Sequence, residues 1–232
     1  MTEDSGTCTE VCDEELDEEL WDYVEDGMIK HPLLYMSLGG KSGVARCNSF
    51  FQEKADATYR ARRSRDWEKL LFLHERPHRL ASFDEIQSEL EDSLYWQLLA
   101  RLWIDSENIF ENRAAWAELW QARRDSKCCA MEVEEQEAFK KLPHQLVLYR
   151  GVGADDEGLD GLSWTLSREK AIWFANRRKG APRLVTASVK KGGIHAYFDR
   201  RDEREVVVGS PNILSINVIA QSKARAEASK NP

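Results

Sequence analysis

A chain of 232 residues suits one large domain or two small ones with a packed core. It has no run of eighteen apolar residues, so no membrane-spanning helix is expected. Its five cysteines (Cys8, Cys12, Cys47, Cys128, Cys129) lack paired C-x-x-C spacing, which argues against both a zinc site and a disulfide framework. The net charge of −8 is local: twelve of the 41 acidic side chains lie in residues 1–26, which hold no basic one. The rest carries 29 acidic against 33 basic residues, about +4.

Residues 1–12 therefore read as an acidic flexible tail, either simply solvated or a cover for a basic surface. Its lack of a basic start and apolar stretch points to a cytoplasmic, soluble protein. Leu16, Leu20, Trp21 and Val24 recur at helical spacing, which predicts an amphipathic helix over 13–26. The helical pattern continues to residue 141. GGKSG (39–43) reads as a flexible loop, because Tyr35 stands where a phosphate-binding loop needs glycine. A helix is predicted over 52–74, ending before Pro77. HERPH (74–78) formally matches H-E-x-x-H, but a proline inside the motif breaks the continuous helix that two zinc ligands require. Ser82 and Glu85 form an S-x-x-E capping box that opens the next predicted helix, 82–103. Trp96, Leu99, Trp103, Trp116, Leu119 and Trp120 recur at helical spacing, as core residues do more often than ligand contacts.

After Pro143 the texture changes to short strands. LVLYR (146–150) and LSWT (162–165) flank a glycine-rich connection, and SREKAIWFANRR (167–178) reads as a helix. Four strands are then predicted, RLVTASVK (183–190), GIHAYF (193–198), EREVVV (203–208) and NILSINVIA (212–220), before a flexible tail over 223–232. Gly151-Val152-Gly153 lacks the third glycine of a dinucleotide fingerprint. The fold class expected is α+β.

Alternation along EREVVV places Glu203 and Glu205 on one face of a strand. Two carboxylates so close repel unless something uses them, and a solvated strand start is the plain alternative. Tyr149-Arg150-Gly151, Ser163-Trp164-Thr165 and Glu203-Arg204-Glu205 follow one another on three strands, with the helix containing Ala171 to Ala175 after the second. In that order these motifs resemble the arginine–serine–glutamate class of the ADP-ribosyltransferase superfamily, over about residues 146–208.

The resemblance implies a small mixed α/β domain with a strand-rich split sheet over 142–222, behind a helical region over 13–141. It implies cleavage of NAD, as co-substrate and without a metal, at the nicotinamide–ribose bond, with transfer of ADP-ribose to a protein, to arginine by the glutamate at position 203. Glu205 would hold the ribose 2′-hydroxyl and stabilise an oxocarbenium-like transition state, and Glu203 would position or deprotonate the acceptor. Arg150 would contact ribose or pyrophosphate, with Gly151 beside it. Ser163 would orient Glu205, Thr165 would support the strand, and Phe174 would stack on nicotinamide. Trp164, pointing the other way, would pack. His195 and Tyr197 share a strand face and are further candidates to approach nicotinamide, although a surface or core role is the preferred reading for the histidine. The partners implied are NAD and a protein target, with no membrane and no nucleic acid. The same residues would serve an NAD glycohydrolase, and a non-enzymatic binding module on the same fold is the third possibility.

Overall fold

The computed structural model describes residues 15–107, 109–153, 159, 161–177 and 181–219. The two tails expected at 1–12 and 223–232, the connection at 154–158, and Arg178 lie outside them. The chain forms two compact units, one up to Glu89 and one from Leu90. The protein is α+β. The boundary differs from the one expected near residue 141. The change of texture at Pro143 marks a switch from helix to strand, while the three helices before it belong to the unit that contains the large sheet.

In the first unit, from residue 15 onward, the expected helix over 13–26 gives way to a single 3₁₀ turn, Glu18–Tyr23, and a three-stranded antiparallel sheet; residues 13 and 14 lie outside the described ones. Its strands are β1 (Val24–Glu25), β2 (Met28–His31) and β3 (Leu34–Ser37), in that spatial order. Asp26 and Gly27 both have positive φ, 49° and 73°, which is the backbone a two-residue hairpin turn requires, and it draws Val24 and Glu25 into a ladder. Leu20, Ile29, Leu34, Cys47 and Phe51 close a small core over this sheet.

Helix α1 (Lys41–Ser64) starts earlier than predicted, so the GGKSG segment is a helix entry rather than a loop. Gly43 has to be a glycine there, because a Cβ would run into the Leu38 carbonyl. The predicted helix over 52–74 is two helices. Arg65 adopts φ 57° and ends α1, and the Asp66 side chain accepts from Lys69 N at 3.2 Å to open α2 (Trp67–Leu73). A 3₁₀ turn, Arg76–His78, contains Pro77, and α3 (Arg79–Ile86) follows it. Ser82 is therefore buried inside α3 instead of capping it, and the box predicted with Glu85 does not form.

The second unit begins with α4 (Asp92–Asp105), α5 (Arg113–Trp120) and α6 (Val133–Lys141). The tryptophan stripe is core, as its spacing predicts: Trp96, Trp103, Trp116 and Trp120 are each at most 2% exposed. Trp103 meets Trp116 and Trp120 edge-on, with centroids 5.2 and 5.7 Å away. A capping box does occur at α6, where Glu135 accepts from Glu132 N at 2.8 Å.

Strands β4 (Gln145–Val152), β5 (Ser163–Thr165), β6 (Arg183–Lys190), β7 (Ile194–Phe198), β8 (Glu205–Val208) and β9 (Asn212–Val218) form one antiparallel sheet, ordered β7-β8-β5-β4-β6-β9. Helix α7 (Arg168–Arg177) lies between β5 and β6 in the chain and packs on β4. The sheet is continuous, yet its halves meet through a single register pair, Tyr149 with Thr165. The expectation is a split sheet; the structure has one sheet whose halves share this short seam.

Gly151 sits where β4 passes under α7. A Cβ there would lie 1.9 Å from the Ala171 carbonyl oxygen and 2.6 Å from Ala175 N, both backbone atoms. The small Ala171 and Ala175, fully buried, complete this close approach. Replacing Gly151 by alanine forces the helix off the strand, an overpacking that costs about 1–3 kcal/mol. The expected result is a lower urea midpoint with an unchanged slope, measured by far-UV circular dichroism.

Candidate active site

The gap between the sheet halves opens into a cleft of about 730 Å³. Strand β4 contributes Tyr149, Arg150 and Gly151, and β5 contributes Ser163 and Thr165. Phe174 and Arg177 line it from α7, Arg201 and Glu203 from the turn before β8, and Glu205 from the first position of β8. All seven residues picked from the sequence, Arg150, Gly151, Ser163, Thr165, Phe174, Glu203 and Glu205, thus border one cavity. Gly151 owes its identity to the contact with α7 described above, and it also borders the cleft.

Parted strands leave ladder groups to satisfy. The Ser163 carbonyl, which faces a gap on the β4 side, accepts from Arg150 Nη1 at 2.7 Å. That bond fixes the guanidinium against Gly161, whose missing side chain leaves it room: a Cβ there would come within 2.4 Å of Arg150 Cζ. The Ser163 hydroxyl donates to Glu205 Oε1 at 2.5 Å, and the Trp103 indole donates to the same oxygen at 3.1 Å. Glu205 is 6% exposed. Burial raises its pKa above the ordinary carboxylate value, and the two hydrogen bonds and the Arg201 charge oppose that rise.

Glu203 reaches the cleft by a different route from the one alternation predicts. Strand β8 begins only at Glu205, and Arg204 has φ 48°, so the chain turns between the two glutamates. The turn is held by Thr165 Oγ1 donating to the Glu203 carbonyl at 2.6 Å and by Leu166 N donating to the Arg204 carbonyl at 3.0 Å. Thr165 therefore does support the strand start. The Glu203 carboxylate pairs with Arg201 at 3.4 Å.

Trp164 is 2% exposed and donates to the Gly161 carbonyl at 2.6 Å, packed in place while still bordering the cleft. His195 and Tyr197 do not line the cleft. Tyr197 donates to Asp199 Oδ2 at 3.1 Å, while the His195 ring stacks on Trp120 at 6.4 Å and has Lys127 Nζ 3.0 Å from its Nδ1. Burial first, and then the Lys127 charge, lower the His195 pKa to about 4. The unfolded chain takes up that proton near pH 6.5, so stability is complete above that pH and falls as the pH drops towards 4. Between pH 7 and 5 we expect a loss of roughly 1 kcal/mol, after allowance for the ring's partial exposure. Urea melts of His195→Gln should show that part of the pH dependence flattened.

Three parts of the site, one of them behind the cleft wall, escaped the sequence reading. Trp103 looked like core alone, since helical spacing says nothing of where an indole N–H points. Arg201 sits two residues before Glu203, between two predicted strands, where no motif marks it. The segment after α4 supplies Ser106, Phe110 and Arg113, and no motif marks it. Among the described residues no three His, Cys, Asp or Glu side chains converge as a metal site, and no helix is long and apolar enough to cross a membrane. No family model, curated protein or solved structure matches this chain.

Proposed function

We propose that the protein is a mono-ADP-ribosyltransferase, cleaving NAD at the nicotinamide–ribose bond and passing ADP-ribose to a protein acceptor, an arginine by the chemistry of Glu203. The observation that carries this reading is the convergence of Arg150, Ser163, Glu203 and Glu205 on one cleft, with the Ser163 hydroxyl on the Glu205 carboxylate. A cleft of this size, with Arg113, Arg150, Arg177 and Arg201 on its walls, suits a dinucleotide carrying a pyrophosphate. Phe174 and Phe110 offer flat apolar faces to its rings.

In this reading Glu205 accepts a hydrogen bond from the ribose 2′-hydroxyl. The C1′–N bond breaks, its electron pair leaves with nicotinamide, and the carboxylate stabilises positive charge growing on the ribose. A guanidine nitrogen of the acceptor attacks C1′ and gives its proton to Glu203.

The ion pair between Glu203 and Arg201 favours a second reading, an NAD glycohydrolase, because it occupies the group that would receive an acceptor's proton. One experiment separates the possibilities: nicotinamide release from NAD by the purified protein, beside Glu205→Gln, with and without a cell lysate and labelled NAD. Release with label on lysate proteins supports the transferase, and release of free ADP-ribose alone supports the hydrolase. No release from folded protein with lysate present overturns both, and leaves a binding module on this fold.

A further inference from the structure

We propose that Trp103 is a positioning residue for Glu205: its indole N–H and the Ser163 hydroxyl bind one carboxylate oxygen and leave the other for whatever occupies the cleft. As a role in turnover this rests on the function proposed above; as a contact it does not. Both donors converge on Oε1, at 3.1 and 2.5 Å, and among the described residues Oε2 receives no hydrogen bond. An indole nitrogen can only donate. Trp103 is 1% exposed and wedged edge-on between Trp116 and Trp120, so its ring cannot turn to another acceptor.

The donors also come from different elements, the indole from α4 and the hydroxyl from β5. A carboxylate held by one donor can swing about it; held by two on one oxygen, from a helix and a strand, it keeps a single orientation. Pre-set geometry of this kind is what makes a charged group effective at a reacting centre. Trp103 is moreover joined to the cleft wall, since Ser106 N donates to the Trp103 carbonyl at 3.2 Å where α4 ends and the wall segment begins.

Both hydrogen bonds favour the ionised carboxylate and so oppose the effect of burial. The other charges facing Glu205 are Arg201, which assists ionisation, and Glu203, which opposes it. Removing the indole donor while keeping its volume should therefore shift the carboxylate towards its protonated form.

The test replaces Trp103 by 3-benzothienylalanine, which has sulfur in place of N–H within the same ring shape, with Trp103→Phe as a second variant. Glu205 is followed by NMR of protein labelled with ¹³C at the glutamate carboxyls, its signal assigned by Glu205→Gln. We expect its titration midpoint to rise by about one pH unit in the benzothienyl protein, and kcat for nicotinamide release at neutral pH to fall about tenfold with KM within twofold. The acidic limb of the activity profile should move by the same amount as the midpoint. An unchanged midpoint in the folded benzothienyl protein overturns the proposal. So does an indole N–H resonance of Trp103 that is identical in wild type and Glu205→Gln. A midpoint that moves in a protein whose wild type releases no nicotinamide upholds the contact and overturns the NAD reading instead.

Discussion

Glu205→Gln is expected to lower nicotinamide release from NAD about a thousandfold, roughly 4 kcal/mol of transition-state stabilisation, while leaving the protein more stable than wild type at neutral pH. The two halves of this result have one cause. Glu205 is 6% exposed, and burial raises its pKa. A carboxyl with a folded pKa above its unfolded one adds stability that is full below the unfolded pKa and is lost as the pH rises through the folded value. At pH values well above the unfolded pKa the carboxyl is thus a stability cost at this position. Glutamine keeps the shape, and its carbonyl oxygen can still accept from Ser163 and Trp103, but it carries no charge to desolvate. A surface glutamate on a solvated strand start would give neither effect. The thermal melt and the release assay, run on the same preparation, check both; a wild-type melt higher than the variant's at neutral pH would contradict the account of a strained buried charge.

The strands of the second unit were legible because their chemistry is local. RLVTASVK coincides with β6, and LVLYR and SREKAIWFANRR fall within a few residues of β4 and α7. β-Branched runs between turn residues carry that information without reference to the rest of the fold. The strands of the first unit, two to four residues each, are too short to show a period, and the helical spacing over 13–26 outweighed the turn dipeptide Asp26-Gly27. The break at Arg65 and Asp66 was hidden because arginine carries no mark of a positive φ.

The candidate site divides in the same way. Arg150, Ser163 and Glu205 were found because each sits in a motif on a strand, but the route from Glu203 to the cleft was not. Alternation assumes an extended chain, and Arg204 turns it. Nor could the sequence disclose that α4 to α6 belong with the sheet. That membership is expressed in contacts between residues far apart in the chain, Trp103 with Glu205 and Glu135 with Arg200. Both are polar contacts made by buried carboxylates, Glu205 and Glu135, and apolar periodicity is silent about them.

Glu135→Ala is expected to have the largest effect on stability, about 3 kcal/mol, and to separate the two carboxylates of the cleft in function. Glu135 is 4% exposed and its carboxylate is fully engaged. It accepts from Glu132 N at 2.8 Å, from Asp199 N at 3.1 Å, and from Arg200 Nε and Nη2 at 3.2 Å each. Truncation removes a helix cap and an ion pair together and leaves the arginine with one carboxylate fewer. Breaking a fully buried pair costs about 3–5 kcal/mol, and the low end applies here because the Arg200 side chain is 28% exposed and keeps Glu132 at 3.3 Å. In urea melts the double variant with Arg200→Ala should cost less than the sum of the singles, since they share one interaction. The functional consequence follows from what Asp199 and Arg200 anchor. Their turn leads through Asp202, with φ 52°, and Arg204, whose N–H donates to Asp199 Oδ1 at 3.2 Å, and it carries Glu203. Glu205, by contrast, is fixed by the β5–β8 ladder and by Ser163 and Trp103. In protein that remains folded at low temperature, Glu135→Ala should therefore depress transfer to an arginine acceptor several-fold more than it depresses nicotinamide release. Equal losses in the two assays would mean that the turn positions both glutamates alike, and that Glu203 has no separate task in the cleft.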